Sequence, residues 1–316
     1  MSNKYQVSII MATYNADMSE IYKSLSVACK QIDVDYEIIV TDDGSNDFDK
    51  DKLVEIFNQL GFDNYKIICN DENQGTVKNF IGACKEAKGE FVFFTAPGDI
   101  IFDYKVMLDC YSFAKERNSK VVFGNYIEYS NLNNELVIHN RPNRPIITEI
   151  YNKSFEDYKR TFCFGTFITG SVIFREREYA LKSLEYISKT SKYVEDNTTL
   201  AYALADNQEI HYFDRKMVWY ELGEGISTSK ENKWNEKIYR DLEKTFGALV
   251  SVHPKDKILK TGYKSYFRKY GALTKPIVVI THPIMVARLV KNKKLPKQKT
   301  VCNAEEQNFL NNILNS

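Results

Sequence analysis

The chain lacks most of the features that would place it at once. Its six cysteines, Cys29, Cys69, Cys84, Cys110, Cys163 and Cys302, form no C-x-x-C pair, and its four histidines show no ligand spacing. A disulfide framework and a structural zinc are therefore disfavoured, and free thiols in a reducing compartment fit better. No apolar run approaches the ~20 residues that a membrane span needs. The best stretch, Pro276–Val290, is broken by His282, Pro283 and Arg288. The first apolar run is short and stops at Asn15 and Asp17, which does not read as a signal peptide. Neither an internal repeat nor a low-complexity tract is present. Net charge is nearly absent as well, at +1 over 316 residues.

That balance hides an asymmetry. Between Lys257 and Ala304 there are twelve Lys or Arg residues and no Asp or Glu, so the rest of the chain is net acidic. A basic segment on an acidic body suggests an anionic partner surface. With 43% hydrophobic and 13% aromatic residues, the chain has ample material for a packed core.

What is present most clearly is a rhythm between Val7 and Asp99. Four apolar runs each close on small or polar residues. Val7–Ala12 ends at Thr13-Tyr14-Asn15, and Tyr36–Thr41 at Asp42-Asp43-Gly44-Ser45. Tyr65–Cys69 ends at Asn70–Gly75, and Phe91–Phe94 at Thr95-Ala96-Pro97-Gly98-Asp99. Between them Ile21, Leu25, Ala28 and Ile32, then Leu53, Ile56, Phe57 and Leu60, then Val77, Phe80, Ile81 and Cys84 recur at helical spacing. The first of these helices opens on Asp17-x-x-Glu20, an Asp version of a capping box. Strand–helix alternation predicts a mainly parallel sheet covered on both faces. Ligands of such sheets bind beyond the carboxyl ends of the strands, where these polar clusters converge.

Further along, the spacing predicts a helix near Tyr104–Arg117, a strand over Val121–Tyr129, a helix over Asn197–Ala205, a strand over Ile210–Tyr220 and a helix over Lys233–Val252. Phe162–Phe174, aromatic and β-branched, reads as a buried strand or loop lining a cleft. Gly223–Thr228 reads as a flexible loop. Residues 1–230 are expected to form the main domain, and residues 231–316 a small, helical, basic extension.

Each candidate residue admits two readings. Asp42-Asp43-Gly44-Ser45 could be a capped turn, or a pair of acids that accept hydrogen bonds from a base or sugar. Tyr14 at the neighbouring strand end would then offer a stacking face. Asn73–Lys78 could be an ordinary helix start, or a cradle for a diphosphate with Lys78 one turn in. Asp99 could cap a helix or ligate Mg²⁺ or Mn²⁺. Glu195-Asp196 could serve only the macrodipole of the helix it opens, or supply a general base.

Val-Ser-Ile-Ile-Met-Ala-Thr-Tyr-Asn (7–15), Tyr-Glu-Ile-Ile-Val-Thr-Asp-Asp-Gly-Ser (36–45), Asn73-x-Gly75 and Ala-Lys-Gly-Glu-Phe-Val-Phe-Phe (87–94) follow in order. The run resembles the family 2 glycosyltransferases of GT-A fold, closely over the first third and more loosely to about Thr228. That resemblance implies that Thr13, Tyr14 and Asp43 hold the nucleoside of a UDP-sugar, with Lys78 near the base or diphosphate. It implies that Asp99 stands in or beside the metal-binding D-x-D motif for Mn²⁺ or Mg²⁺. It makes Asp196 the base of an inverting transfer to a hydroxyl of a growing cell-surface glycan, of capsule, O-antigen or teichoic type. Gly223–Thr228 falls at the family's mobile closing loop. The implied setting is cytoplasmic, peripheral on the inner face of the membrane, with a lipid-linked acceptor and no nucleic acid. One departure is plain: Ala96-Pro97-Gly98-Asp99 keeps a single acid where relatives carry more. It lends weight to a rival, a non-catalytic partner subunit of the same fold. The basic extension would then face anionic lipid or pack as a contact between copies of the chain.

Overall fold

The computed structural model describes residues 4–132, 135–139, 154–163, 168–222, 232–267, parts of 269–290, and 301–315. The expected rhythm is observed: β1 (Tyr5–Thr13), α1 (Met18–Ala28), β2 (Tyr36–Asp42), α2 (Lys50–Leu60), β3 (Tyr65–Cys69), α3 (Thr76–Glu86) and β4 (Gly89–Thr95). β1 pairs in parallel with both β2 and β4, and β2 in parallel with β3. Val7, Ile9, Ile10 and Met11 in β1 are fully buried, as are Ile38, Ile39 and Val40 in β2. Near-continuous apolar runs of this kind mark strands covered on both faces. β3, at the sheet edge, is only half buried.

The helices bury the stripes that their spacing announces: Ile21, Leu25 and Ala28 of α1, Leu53, Ile56 and Phe57 of α2, Val77, Phe80 and Cys84 of α3. Each fully buried large aliphatic or aromatic side chain contributes about 1.5–3 kcal/mol. Two expectations need correction. α1 stops at Ala28, so Ile32 lies beyond the helix and is 43% exposed. Asp17 does cap α1 through the Ser19 amide, but Glu20 is drawn to Lys23 at 2.6 Å, an i,i+3 ion pair, instead of completing a capping box.

After β4 the sheet becomes mixed. β5 (Ile100–Ile101), α4 (Val106–Arg117), β6 (Val121–Leu132), β7 (Glu135–His139) and α5 (Phe155–Cys163) follow. Next come a 3₁₀ turn at Gly170–Val172, β8 (Ile173–Glu176), α6 (Arg177–Ile187), α7 (Asp196–Ala205) and β9 (His211–Glu221). The strand order is β3-β2-β1-β4-β8-β6-β9-β5, with β7 alongside β6. β8 runs antiparallel to both β4 and β6, and β6 pairs in parallel with β9. β8 therefore inserts beside β4 and brings the turn before it to the strand ends that hold the polar clusters. The 162–174 segment, expected as one strand or loop, is thus the end of a helix, a 3₁₀ turn and the start of a strand; its residues 164–167 lie outside the described set.

α8 (Asn232–Val252), α9 (Lys257–Tyr266), α10 (Thr274–Thr281) and α11 (Ala304–Leu314) complete the chain. Leu242, Phe246 and Leu249 of α8 are buried, and Phe246 stacks on Phe162 of α5 at 6.2 Å. α11 returns to the first helices: Glu306 pairs with Lys216 at 2.6 Å and Phe309 meets Tyr104 edge-on. Pro276 lies in the first turn of α10, where an amide has no intrahelical acceptor to lose. The Gly223–Thr228 loop falls outside the described residues.

Candidate active site

The carboxyl ends of β1 and β2 meet in register, Thr13 opposite Asp42. Thr13 is buried and donates its hydroxyl to Asp42 Oδ1 at 2.9 Å. Asp42 also accepts the Ser45 amide at 2.7 Å and its hydroxyl at 2.6 Å, so it fixes the turn that follows β2. Tyr14 projects beyond the strand end and is 50% exposed, leaving a ring face open at the rim of the cleft.

Asp43 is buried, and both of its oxygens are taken by main chain. Oδ1 accepts the Gln74 amide at 2.9 Å and Oδ2 the Gly75 amide at 2.8 Å. Asp43 thus clamps the β3–α3 loop onto the end of β2. Gly75 is required there twice over: its φ is +91°, and a Cβ would collide with Lys192. Asn79 reinforces the clamp, donating to the Thr41 carbonyl at 3.0 Å and accepting from Asn70 at 3.0 Å. The Val77 amide, in the first turn of α3, donates to the Lys192 carbonyl at 3.1 Å. Two of the amides that could have faced a diphosphate are therefore already bound to protein. Lys78 lies in the same turn with its side chain exposed.

On the other side of β1, Asp99 closes the β4 strand end. It is buried, and the Ser171 hydroxyl donates to its carboxylate. Burial pushes its carboxyl up to about 7, against the opposing pull of the Ser171 hydrogen bond. Tyr129 donates its hydroxyl to the Gly98 carbonyl at 3.2 Å, and Glu221 lies beside Gly98.

Glu195 and Asp196 open α7, both only partly exposed. Burial raises both carboxyls above the ordinary range, and for Glu195 the charge of Asp196 adds to the rise. Gly170 packs so closely on Glu195 that a Cβ would meet its Oε1, so no other residue fits without displacing the acid. Asn197 locks the helix start in place: its side chain accepts the Ile168 amide at 3.0 Å and donates to the Ile168 carbonyl at 3.2 Å. Beneath the pair lies Arg175, 2% exposed, with its guanidinium 4.8 Å from the Phe94 ring centre. Its charge favours ionisation of Glu195 and Asp196, partly offsetting their burial.

The turn at Gly170-Ser171 is therefore the junction of the site. Ser171 holds Asp99, and Gly170 packs against Glu195, acids about a hundred positions apart in the chain. Sequence reasoning singled out Thr13, Tyr14, Asp43, Lys78, Asp99 and Asp196; the structure places Thr13, Tyr14, Asp43 and Asp99 at the carboxyl ends of β1, β2 and β4, Lys78 in the first turn of α3 and Asp196 at the start of α7. It missed Asn79, Ser171 and Arg175. The only advance signal for Ser171 was its place in a segment read as lining a cleft. Arg175 looked like an ordinary charged residue of a strand end.

Among the described residues, no group of three His, Cys, Asp or Glu side chains is placed to hold a metal ion. Asp99 and the Ser171 hydroxyl fit a cation only if diphosphate oxygens and water supply most of its ligands, as Mg²⁺ accepts.

The family model described as glycosyl transferase family 2 matches residues 8–176, more than half of the chain. The poly(ribitol-phosphate) beta-N-acetylglucosaminyltransferase TarP of Staphylococcus aureus is 31% identical over 123 residues, 38% of this chain and 36% of that protein. The UDP-Glc:alpha-D-GlcNAc-diphosphoundecaprenol beta-1,3-glucosyltransferase WfgD of Escherichia coli is 33% identical over 122 residues, 39% of this chain and 46% of that one. The chain thus matches less than half the length of either relative. Among solved structures, S. aureus TarS 1-349 in complex with UDP-GlcNAc aligns with a TM-score of 0.57 at 22% identity, covering 85% of this chain and 75% of that one. The mannosyltransferase PcManGT of Pyrobaculum calidifontis, in complex with GDP-Man and Mn²⁺, aligns with a TM-score of 0.59 at 13% identity, covering 99% and 86%. The fold is GT-A, and the chain belongs to glycosyl transferase family 2.

Proposed function

We propose that this chain transfers a sugar from a UDP-sugar to a hydroxyl of a cell-surface glycan, inverting the anomeric centre, with Asp196 as general base. The observation that carries this reading is the Gly170-Ser171 junction. It sets a buried carboxylate at the β4 strand end beside a second acid pair with raised proton affinity. Nucleoside binding falls to the first side of the cleft, around Thr13, Tyr14 and Asp43. Tyr14 stacks on the base, and the Asp43 clamp sets the loop that borders it.

Proton removal then falls to the Glu195–Asp196 pair. Asp196 takes the proton of the incoming hydroxyl as that oxygen attacks the anomeric carbon, and Arg175 offsets the buried negative charge of the pair. At the far side of the reacting bond, Asp99 with Ser171 would hold Mn²⁺ or Mg²⁺ against the diphosphate. Such a cation, when bound, would stabilise charge on the leaving group. Intact acids at Asp43, Glu195 and Asp196 favour an enzyme over a non-catalytic partner subunit.

The names of TarP and WfgD point to N-acetylglucosamine or glucose as the sugar, and to a polyol-phosphate or diphosphate-lipid acceptor. A lipid-linked acceptor fits the C-terminal helices, where Leu273, Val279 and Ile280 are 63%, 50% and 77% exposed among basic residues. No helix among the described residues is long and apolar enough to cross a membrane, so this face would bind at the surface only. Arg288 and residues 291–300 lie outside the described set.

The test is direct. The purified chain is incubated with a panel of nucleotide sugars, with and without Mn²⁺, and released nucleotide is measured. Release of UDP from one or two UDP-sugars is expected. No release from any donor, in a folded protein that binds UDP, would leave the partner-subunit reading in its place.

A further inference from the structure

Asp241 lies on α8, in the segment that the sequence presents as a basic extension, far from every motif of the family. It is buried, and one of its oxygens, Oδ2, receives three donors: the Lys192 amide at 2.8 Å, the Tyr193 amide at 2.7 Å and the Ser191 hydroxyl at 3.1 Å. One turn further along α8, the Thr245 hydroxyl meets that of Thr190 at 2.8 Å. One turn before Asp241, the Lys237 ammonium lies 5.1 Å from the Tyr193 ring centre, and Trp234 meets that ring edge-on at 5.4 Å. Four successive residues of one loop, 190–193, are thus gripped by one face of one helix.

That loop touches both sides of the cleft. The Lys192 carbonyl accepts the Val77 amide in the first turn of α3, and the Lys192 side chain packs on Gly75, whose own amide is held by Asp43. In the other direction the Ser191 hydroxyl, its one proton shared between Asp241 Oδ2 and the Val194 carbonyl at 2.8 Å, accepts the Val194 amide at 3.2 Å, immediately before Glu195. A path of hydrogen bonds joined by short stretches of main chain therefore runs from Asp43 through the start of α3 and the loop to the start of α7. Asp241 anchors it at the middle.

We infer that Asp241 is a positioning residue for catalysis: α8 holds the 190–193 loop through it and so fixes the Glu195–Asp196 pair relative to the nucleotide side of the cleft. A carboxylate suits the task because a charged oxygen can serve three donors strongly, whereas a neutral acceptor serves them weakly. The loop has no regular structure of its own, and Asp241 is the one side chain that holds three of its successive residues at once, so its loss leaves them to weaker, separate contacts. A displacement of about 1 Å in a group that must meet a substrate proton costs on the order of 100-fold in rate. The Asp43 clamp does not depend on α8, so nucleotide binding should survive the loss.

This inference rests on Asp196 being the base, and the experiment separates the two claims. Turnover and UDP affinity are measured for wild type, Asp196→Asn, Asp241→Ala, Asp241→Asn, Ser191→Ala and Leu249→Ala, together with melting temperature. Leu249 is fully buried on α8, two turns beyond Asp241, so Leu249→Ala lowers stability while leaving the hydrogen bonds of Asp241 in place. The expected order of kcat is wild type and Leu249→Ala together, then Ser191→Ala, then Asp241→Asn, then Asp241→Ala. Asp241→Ala should be down by about tenfold to 100-fold. UDP affinity should stay within about threefold of wild type throughout, since none of these changes touches the Asp43 clamp. Normal kcat in Asp241→Asn and Ser191→Ala, with Asp196→Asn inactive, would overturn the positioning role alone. A kcat that follows melting temperature through Leu249→Ala as well would reduce Asp241 to a stabilising contact. Full activity of Asp196→Asn would remove the reading on which the inference stands.

Discussion

The two sides of the cleft use carboxylates in opposite ways. Around Asp43 every acid is saturated: the two oxygens of Asp43 take two amides, and Asp42 takes three donors from Thr13 and Ser45. Around Asp99 and Glu195–Asp196 burial outweighs the hydrogen bonds the acids do accept, from Ser171 on Asp99 and from the Asn197 amide on Asp196, and lifts their proton affinity. A carboxylate held by main-chain amides is a structural pin, because each charge-assisted hydrogen bond fixes it in one geometry. A carboxylate whose burial outweighs its hydrogen bonds is chemically poised, ready to take a proton or a cation. On the proposed function, a rigid binding half and a reactive half are joined through the 170–171 turn and the 190–194 loop.

The largest effect expected from breaking the reactive half is on turnover. Asp196→Asn should lower kcat by on the order of 10²–10⁴-fold, because proton removal occurs only in the transition state. Steady-state UDP release checks it, and near-normal turnover would pass the role to Glu195. The same half should also show in the pH–rate profile. With the pair's carboxyls raised, kcat should climb as pH rises through a value above the ordinary carboxylate range, and a flat profile from pH 5 to 8 would argue against a base of this kind.

Breaking the rigid half should be felt first as stability. Asp43→Ala leaves the Gln74 and Gly75 amides without acceptors, at a cost of about 1–3 kcal/mol. Denaturant titration reads it, and no change in midpoint would mean that the loop finds other partners.

A smaller effect concerns Asp99. Its carboxyl is raised from 3.8 to about 7, so the folded state holds the proton more tightly than the unfolded chain does. The stability this provides is complete below about pH 4 and is lost as pH rises through 7. In chelator, the melting temperature of wild type should therefore fall more steeply between pH 5 and 8 than that of Asp99→Asn. Equal slopes would show that Asp99 ionises freely.

The smallest effect lies at the exposed apolar residues of the C-terminal helices. Sedimentation with anionic vesicles should be strong at low salt and fade as salt rises. Indifference to vesicles at low salt would leave those helices as packing elements only.

How much of this was legible beforehand follows from what kind of interaction holds each part. β1 to β4 and their helices were readable because their apolar periodicity is local, and Thr13, Asp43 and Asp99 because each ends a readable strand. The change to a mixed sheet after β4 was not, since β8 reaches its place through pairing with strands far away in sequence. Ser171, Arg175 and Asp241 acquire their roles only from such long-range packing; by residue type each is ordinary. The clamp on Gln74 and Gly75 was likewise invisible: adjacent acids at a strand end suggested a ligand, and the fold gives one of them two main-chain amides.

The division of labour is tested most directly by titrating UDP into Asp43→Ala and Asp196→Asn side by side with wild type, calorimetrically, in proteins confirmed to be folded. The account predicts that Asp43→Ala weakens UDP binding by about tenfold, the equivalent of ~1.4 kcal/mol, while Asp196→Asn binds as wild type does and fails to turn over. Unchanged affinity in Asp43→Ala, or a matching loss of affinity in Asp196→Asn, would contradict it.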